Sequence, residues 1–319
     1  MAEWFVTEGI GEHRAVLKEG HRILAAQIDW PGTLSPGQVE DAVLLERRSR
    51  SPRGRARFDS GEEALLDRLP RDASEGARIR LRVTRSAMRE FGRAKLAQAR
   101  PTQQEVRPAP TLAEQLGATV LGTLYRDDWA EVWSAAWEGK WEFPNGELVF
   151  HATPAMTLID IDGDRPPREL ALAAVKPLAT ALGWLGLAGS IGIDFPTLAN
   201  RADRKAVDEA LQSALSDWPH EHTAMNGFGF VQIVARLERP SLLHRLHFDR
   251  AGAAARYAVN HAAALRDPGV TQITAHPSVL KAMQKDWLTQ LQRRTARPIE
   301  LREDAALANF GWHAQIISQ

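Results

Sequence analysis

The chain has 319 residues, with 40 basic and 40 acidic side chains and a formal net charge of zero, which argues against a protein that coats nucleic acid non-specifically. It contains no cysteine, so disulfides and thiolate metal sites are excluded, and carboxylate, imidazole and carbonyl groups remain as metal ligands. The length is sufficient for two or three units with their own hydrophobic cores.

The N-terminal stretch, MAEWFVTEGIGEHR, is acidic and lacks the apolar region of a signal peptide. The longest apolar candidate for a membrane span, LATALGWLGLAGSIGI, is short and rich in glycine. We therefore expect a soluble cytoplasmic protein that has no membrane partner.

The first predicted elements are strands. Residues 1–30 contain EWFVTEG and HRILAAQIDW, which we interpret as a pair of strands joined by a turn at Gly20. After a cluster of proline and glycine at 31–37, three stretches alternate as short strands do, namely EDAVLLERR, RGRARFDS and EGARIRLRVTRSA.

Charge is unevenly distributed along the chain. Residues 41–100 contain 16 basic and 9 acidic side chains, so this segment is net +7 and the remainder is net −7. Such segregation indicates either a module that binds a polyanion or a solvated charged surface. Charge alone favours the solvated surface.

A polar, proline-rich stretch, ARPTQQEVRPAPT, predicts a linker, and a helix is expected near 125–140. Trp129, Trp133, Trp137 and Trp141 recur every fourth residue in this region. Large aromatic side chains at helical spacing usually pack into a core, and we favour that interpretation over base stacking.

The second half alternates strands and helices. A PNG turn between apolar runs predicts a hairpin, and MTLIDIDGD, GSIGIDFPTL and GFVQIVARLE predict strands separated by helices at 168–184 and in DRKAVDEALQSALSDW. This order indicates an α/β sheet that is parallel at least in part. From residue 246 onwards, helices in DRAGAAARYAVNHAAAL and SVLKAMQKDWLTQLQRR, a strand in VTQITAHP and terminal strands suggest a separate small α/β unit.

Two aspartates end apolar strands of this region, Asp160 in LIDID and Asp194 in IGIDF. If the strands are parallel neighbours, both carboxylates emerge at the sheet edge where open α/β folds bind ligands. Two carboxylates suit Mg²⁺, which keeps several waters and leaves positions for phosphate oxygens. Aspartate is also common at strand ends as a helix cap or solvated residue, and spacing alone favours that second interpretation.

Five segments in the same order resemble the ribonuclease E/G family, the bacterial endoribonucleases of RNA processing and decay. The resemblance covers most of the chain and includes the first strands and turn at 3–32. The other matching segments are WEFPNGELVFHATPAMTLIDID, LGLAGSIGIDF, FGFVQIVARLERPSL, and QITAHPSVLKAM with the final HAQIIS.

The resemblance implies an α/β multidomain fold. An OB-like β-barrel is inserted into a catalytic α/β body that is ribonuclease-H-like plus deoxyribonuclease-I-like, followed by a small C-terminal α/β unit. The implied boundaries are 1–35 for the N-terminal strands of the body, 36–98 for the barrel, 99–115 for a linker, 116–245 for the catalytic domain and 246–319 for the C-terminal domain.

The resemblance also implies the site. Asp160 and Asp194 match the family's aspartates that hold Mg²⁺, and Mn²⁺ is an alternative ion. Asp162 stands where the family has an asparagine, so it either joins the metal or adds repulsion that weakens the empty site. The barrel residues implied in binding single-stranded RNA are Arg93, Lys95, Arg57 and Phe58, with Phe91 as the second aromatic of the barrel. Arg236 and Arg239 of the body, together with Lys176, either bind the RNA in place of the family's missing cations or are solvated surface charges.

Three departures limit the resemblance. The 5′-monophosphate sensor is missing, since Gly227 replaces its arginine, and the active centre has fewer cations. The cysteines of the family's zinc link are absent, so we expect neither zinc nor the zinc-linked dimer, and the oligomeric state stays open. We expect His244 and His247, which remain in that region, to be surface residues near a domain junction.

The resulting prediction is a Mg²⁺-dependent endoribonuclease that hydrolyses single-stranded RNA without 5′-end sensing and leaves a 5′-phosphate and a 3′-hydroxyl. The alternative is a catalytically weak or inactive RNA-binding relative of the family. A deoxyribonuclease stays open as well, because two carboxylates and a metal do not read the 2′-hydroxyl.

Overall fold

The computed structural model describes residues 1–48, 51–90, 92–122 and 126–318, and the side chains of residues 126 and 127 are outside this description. Within these ranges the chain forms twenty strands and eight α-helices. The strands are β1 (Glu3–Glu8), β2 (His13–Glu19), β3 (Arg22–Asp29), β4 (Val39–Arg47), β5 (Gly54–Arg57), β6 (Glu63–Leu66), β7 (Arg78–Arg85), β8 (Met88–Glu90), β9 (Arg93–Lys95), β10 (Ala97–Pro101), β11 (Thr119–Leu121), β12 (Lys140–Phe143), β13 (Gly146–Ala152), β14 (Thr157–Gly163), β15 (Gly189–Asp194), β16 (His220–His222), β17 (Phe230–Ala235), β18 (Val270–Ala275), β19 (Ile299–Glu303) and β20 (Trp312–Ile317). The helices are α1 (Leu112–Leu116), α2 (Arg126–Glu138), α3 (Pro167–Trp184), α4 (Arg201–Ala214), α5 (Leu242–Phe248), α6 (Arg250–Ala264), α7 (Pro277–Ala282) and α8 (Lys285–Thr295).

The N-terminal segment forms three strands, where the sequence predicted two. β2 pairs with both β1 and β3, and β11 adds to the other edge of β1 in parallel. The predicted turn at Gly20 is present between β2 and β3, with a positive φ of 60° that glycine adopts without a steric cost. The additional strand, HRAVLKE, lies between glycine-containing turns at 9–11 and at Gly20, and the sequence alone does not distinguish this stretch from one long loop.

The basic segment closes into a five-stranded barrel with the order β10-β6-β5-β4-β7. Adjacent strands are antiparallel except for β6 and β10, which are parallel. The barrel core consists of buried side chains contributed by all five strands, among them Leu44, Ala56, Leu66, Leu81 and Ala99. β10 ends at Pro101, so the first residues of the predicted linker belong to the barrel.

The body is built on a six-stranded sheet with the order β12-β13-β14-β15-β17-β16. Its only parallel pair among the described strands is β14 with β15. Helix α3 packs on one face of this sheet and separates it from the N-terminal sheet, with the Trp184 indole Nε1 donating a hydrogen bond of 2.9 Å to the Ile23 carbonyl. The opposite face of the six-stranded sheet is open to solvent, and we call it the open face.

The tryptophans at fourfold spacing are packing residues. Trp129 is buried in the main core, and the rings of Trp133 and Trp137 stack 5.8 Å apart. Trp141 lies on β12 and meets Trp184 edge-on at 4.9 Å. Trp133, Trp137 and Trp141 are half-buried and pack against the same core, so the prediction of a packing stripe is confirmed.

The C-terminal segment forms a three-stranded sheet, β19-β18-β20, against α6 and α8. The helix predicted across SVLKAMQKDWLTQLQRR is divided into α7 and α8 at Met283, whose backbone is extended. The break turns the second helix so that Trp287 and Leu291 point into this core. No helix in the described ranges combines the length and the hydropathy needed to cross a bilayer.

Candidate active site

Asp160 and Asp194 lie directly opposite each other in the parallel pair of β14 and β15. Residues paired in register point to the same side of a sheet, and neighbouring strands are ~4.8 Å apart. Both side chains are exposed on the open face. The two aspartates are therefore adjacent, at the end of β15 and near the end of β14.

Alternation along the two strands fixes this orientation. Ile159 and Ile161 of β14 and Ile191 and Ile193 of β15 are buried in the core beneath α3. Because successive side chains of a strand point to opposite faces, burial of these isoleucines places the intervening aspartates in solvent. The strand ends in clustered negative charge because only one of its faces is packed.

The strand register extends this row across the sheet. Val149 of β13 lies opposite Asp160, Lys140 of β12 lies opposite Val149, and Phe230 of β17 lies opposite Asp194. Lys140 forms an ion pair of 3.0 Å with Glu147. Neither Lys140 nor Phe230 was predicted as a site residue, because strand register across the sheet is not readable from the spacing along the chain.

Asp162 lies on the same face, one row further along. Its cross-strand neighbour is Glu147, whose own neighbour on β12 is Glu142. On strands β12 to β15 of the open face, these three acids join Asp160 and Asp194 to give five carboxylates near Lys140, which lies in the row of the two aspartates. Like charges directly opposite each other are destabilising, so this surface favours a bound cation.

The donor set fits a hard divalent ion. Within the described part of the chain, no three histidine, aspartate or glutamate side chains converge to hold a metal by themselves. Asp160 and Asp194 thus offer two carboxylates on an open surface where water and phosphate oxygens can complete the coordination, as Mg²⁺ prefers. Asp162 lies opposite Glu147, one row away from the pair of Asp160 and Asp194, so it is not part of the two-carboxylate donor set.

An apolar surface adjoins the aspartates. A Cβ atom added at Gly192 would lie 2.5 Å from Phe230 Cζ, 3.0 Å from Leu158 Cδ2 and 3.0 Å from Met156 Sδ. The glycine therefore lets these three side chains lie flat on the sheet beside Asp194. We call Met156, Leu158 and Phe230 the apolar floor, and a glycine between two isoleucines in a buried strand was the signal for it.

The predicted RNA contacts of the barrel are largely engaged within the protein. The buried Glu90 carboxylate pairs with Arg93 Nε at 2.7 Å and with Lys95 Nζ at 2.6 Å. Lys95 Nζ also donates to the Pro154 carbonyl at 2.7 Å, which fixes the β8–β9 hairpin to the loop before β14. Arg57 is exposed and pairs with Glu63 at 2.8 Å.

The prediction that Phe58 contacts RNA is wrong. Its ring is 2 % exposed and belongs to the barrel core, so it cannot stack on a base without opening the barrel. Phe91, the second aromatic expected in this module, lies outside the described residues.

The two arginines predicted on the body differ in their surroundings. Arg236 is exposed, pairs with Glu238 at 3.0 Å, and lines a cavity of about 350 Å³ between barrel and body with Arg82 and Arg100. The Arg239 side chain is only 13 % exposed, lies 3.8 Å from Asp29 and donates to the Gln115 side chain, so its role is structural. Lys176 lies on α3, behind the sheet, and cannot compensate for cations missing from the open face.

The prediction of surface residues near a domain junction is wrong for His244, and His247 is half-buried. His244 is buried, with Nε2 at 2.8 Å from the Arg89 carbonyl, and burial lowers the pKa of its imidazole. Burial, reinforced by the Arg250 charge, lowers the pKa of His247 to about 4. Both rings pack at the junction of α5 with the barrel hairpin and the body.

No protein-family model matches the chain, and no curated protein matches it. The family resemblance of the segments thus stays a prediction.

Proposed function

We propose that this chain is a Mg²⁺-dependent endoribonuclease that hydrolyses single-stranded RNA, and that it acts in RNA processing or decay in the cytoplasm. The observation that carries the proposal is the in-register pair of Asp160 and Asp194 on a solvent-open sheet face. Two adjacent carboxylates with free space above them suit a metal that must share its coordination shell with a phosphodiester.

The finer fold assignment belongs to the same proposal. The barrel closes through a parallel pair, β6 and β10, and all its other contacts are antiparallel, which supports an OB-like module of the kind that binds oligonucleotides. In the body, the antiparallel strands β12, β13 and β14 followed by the parallel strand β15 support a ribonuclease-H-like core.

Each acidic residue of the open face has a distinct role in the proposed reaction. Asp160 and Asp194 would hold Mg²⁺, which supplies Lewis acidity at a phosphate oxygen and lowers the pKa of an attacking water. Asp162 and Glu147 add negative potential that attracts the cation. The solvent-open face leaves room for an RNA strand, and in-line attack by water would leave a 5′-phosphate and a 3′-hydroxyl.

Substrate contacts in this proposal shift from the predicted set to the junction of barrel and body. Arg93 and Lys95 share the buried Glu90 carboxylate, and Arg239 is nearly buried. Arg82, by contrast, is exposed and lines a cavity with Arg236, whose ion-pair partner, Glu238, lies at the surface. Arginines so placed can bind the phosphates that position a strand. A 5′-monophosphate sensor is not part of the proposal, because Gly227 offers no guanidinium.

The test compares single carboxylate variants. Wild-type protein, Asp194→Asn and the control Asp164→Asn are incubated with a fluorescent single-stranded RNA and Mg²⁺, and with a DNA of matched sequence. Asp164 is exposed and lies just beyond β14, so its variant removes a nearby charge without touching the pair. We expect wild-type and Asp164→Asn proteins to cleave RNA and Asp194→Asn to be inactive; unchanged cleavage by Asp194→Asn overturns the assignment, and cleavage of DNA instead changes the substrate.

The second candidate is an RNA-binding protein with little or no catalytic activity. It is favoured by the scarcity of cations on the open face, where Lys140 stands among five carboxylates and is itself paired with Glu147. Salt-dependent RNA binding without cleavage in Mg²⁺ or Mn²⁺ would support this candidate. Metal-dependent turnover would reject it.

A further inference from the structure

Phe228 is unusually exposed for a large apolar side chain. Its ring is 83 % accessible, more than any other exposed large hydrophobic residue in the described chain except the terminal Met1. Single exposed apolar residues are common on protein surfaces, and exposure alone does not indicate a role. The position and rigidity of the Phe228 backbone supply the argument.

The turn that carries Phe228 is held by a dense set of hydrogen bonds. The Asn226 side-chain Oδ1 accepts from the amides of Phe228 at 2.9 Å and Phe230 at 3.1 Å. The Asn226 carbonyl accepts from the Gly229 amide at 3.2 Å, and the Asn226 amide donates to the Phe230 carbonyl at 3.1 Å. Because its backbone is fixed in this way, the exposed ring is presented with little conformational freedom in the main chain.

The same turn is attached to the strand that carries the metal pair. The Phe195 amide, immediately after Asp194, donates to the Gly229 carbonyl at 3.2 Å, and the Thr197 hydroxyl donates to the Phe228 carbonyl at 3.3 Å. Phe230, at the end of the turn, pairs in register with Asp194. Phe228 therefore lies at the edge of the open face where the chain leaves Asp194, next to the apolar floor.

We propose that Phe228 stacks on the nucleobase of the nucleotide beside the phosphate held at Asp160 and Asp194, with the apolar floor supporting the adjacent sugar and base. The inference rests on the proposed function, because it needs a single-stranded nucleic acid over the aspartates. An exposed aromatic ring on a fixed turn beside clustered carboxylates suits a flat base, since a base can stack on the ring while its phosphate lies at the metal. Phe228 and Phe230 thus take the role that was expected of Phe58.

The experiment measures binding and turnover separately. Fluorescence anisotropy gives the affinity for a single-stranded RNA, and a series of oligonucleotides with one abasic position locates the base that is contacted. Wild-type, Phe228→Ala and Phe228→Trp proteins are compared, with Leu301→Ala as the control, since Leu301 is 41 % exposed on the C-terminal unit. Phe228 is exposed, so its variants are expected to fold normally, and circular dichroism verifies this.

We expect Phe228→Ala to weaken RNA binding about tenfold, in line with the usual value of one base–aromatic stack. Phe228→Trp should retain binding, and kcat at saturating RNA should change less than KM. One abasic position should weaken wild-type binding by a similar factor and have no further effect in Phe228→Ala. Leu301→Ala should bind as wild type does.

The inference is overturned if the RNA affinity of Phe228→Ala lies within about twofold of the wild-type affinity, which is the scatter expected for residues that do not contact the ligand. It is also overturned if an abasic position still weakens RNA binding by Phe228→Ala. The failure of the catalytic proposal gives a different pattern. In that case no protein cleaves RNA, while the loss in Phe228→Ala and its coupling to one abasic position are still observed. If wild-type protein neither binds nor cleaves single-stranded RNA, both proposals are wrong.

Discussion

Asp160 and Asp194 occupy paired positions of the only described parallel strand pair in the body sheet, and both face solvent. Their proximity depends on register, since a shift of one residue in either strand would turn its aspartate into the core. The register is held by the isoleucines on the packed face. The hydrophobic core therefore sets the geometry of the charged site.

Asp162 offers a test of whether the third acid is a ligand or a modulator. Asp162→Asn removes a charge opposite Glu147, and the relief of repulsion should stabilise the metal-free protein by roughly 0.2–1 kcal/mol. Cleavage should be reduced several-fold at most, since the pair is left intact. Urea unfolding in EDTA and cleavage in Mg²⁺ measure the two effects, and complete loss of activity would make Asp162 a direct participant.

The turn beside Asp194 can be tested with two glycines. Gly229 has a φ of 95°, and a Cβ there would collide with the Phe195 carbonyl oxygen, so Gly229→Ala should destabilise the protein by about 1–3 kcal/mol. Gly227, in the same turn, has no atom within 4 Å of an added Cβ. Gly227→Ala should leave the free energy of unfolding nearly unchanged, and equal losses in the two variants would contradict this description of the turn.

Glu90 holds the two strands of the β8–β9 hairpin together through its ion pairs with Arg93 and Lys95. Burial opposes ionisation of this carboxyl, but hydrogen bonds from Lys95 and Arg93 outweigh it and lower the pKa below the ordinary value of 4.5. The ionised carboxylate therefore contributes stability above pH 4.5 that is lost as the pH falls through the lowered pKa. Glu90→Gln should cost about 1.5–3 kcal/mol at pH 7, since it weakens hydrogen bonds to a charged group.

The matched control for this variant is Glu63→Gln, which leaves the exposed Arg57 without its partner. Pairs at the surface contribute ~0–1 kcal/mol, so its effect should be smaller. Chemical denaturation between about pH 3 and 7, a range that includes the ordinary pKa values of carboxyl groups, measures the free energy of unfolding of both variants. A flat pH dependence of the difference between wild type and Glu90→Gln would disprove the role of the ionised carboxylate.

His247 should make the protein sensitive to acid. Its folded-state pKa of about 4 is below the ordinary 6.5, so the unfolded chain binds more protons between these values. Stability contributed by the neutral ring is complete above pH 6.5 and declines as the pH falls towards 4. In His247→Gln, the free energy of unfolding should fall by roughly 2 kcal/mol less than in wild type between pH 6.5 and 4. Urea unfolding across this pH range measures the difference, and the same pH dependence in both proteins would contradict a neutral, desolvated imidazole.

The sequence predicted the parts of the site that depend on local alternation. The isoleucine–aspartate pattern was sufficient to predict two apolar strands that each end in an aspartate, and the tryptophan spacing was sufficient to predict packing. The parallel pairing of the two strands was a condition of the prediction, and the structure supplies it. It could not show that Arg93 and Lys95 share a buried carboxylate, because the burial of Glu90 arises from contacts between the barrel and the body. For the same reason the burial of His244 was not predicted, whereas the burial of Phe58 follows from the closure of the barrel itself.

Phe228 and Phe230 were missed for a different reason. They follow Asp194 by more than thirty positions and reach it through the antiparallel pairing of β15 with β17. The motif FGF belongs to a segment that resembles the family, but nothing in its sequence indicates that Phe228 is exposed. Strand register and solvent accessibility are properties of the folded sheet, and only they distinguish a stacking ring from a core ring.

The central claim is that Asp160 and Asp194 hold one divalent ion together, and Mn²⁺ binding measured by electron paramagnetic resonance tests it most directly. Wild-type and Asp164→Asn proteins should bind one ion per chain with the same affinity, and Mg²⁺ should compete. Asp160→Asn and Asp194→Asn should each weaken binding at least about tenfold, since even supporting contacts of a metal site contribute that much. Unchanged Mn²⁺ affinity in either variant would contradict the shared site.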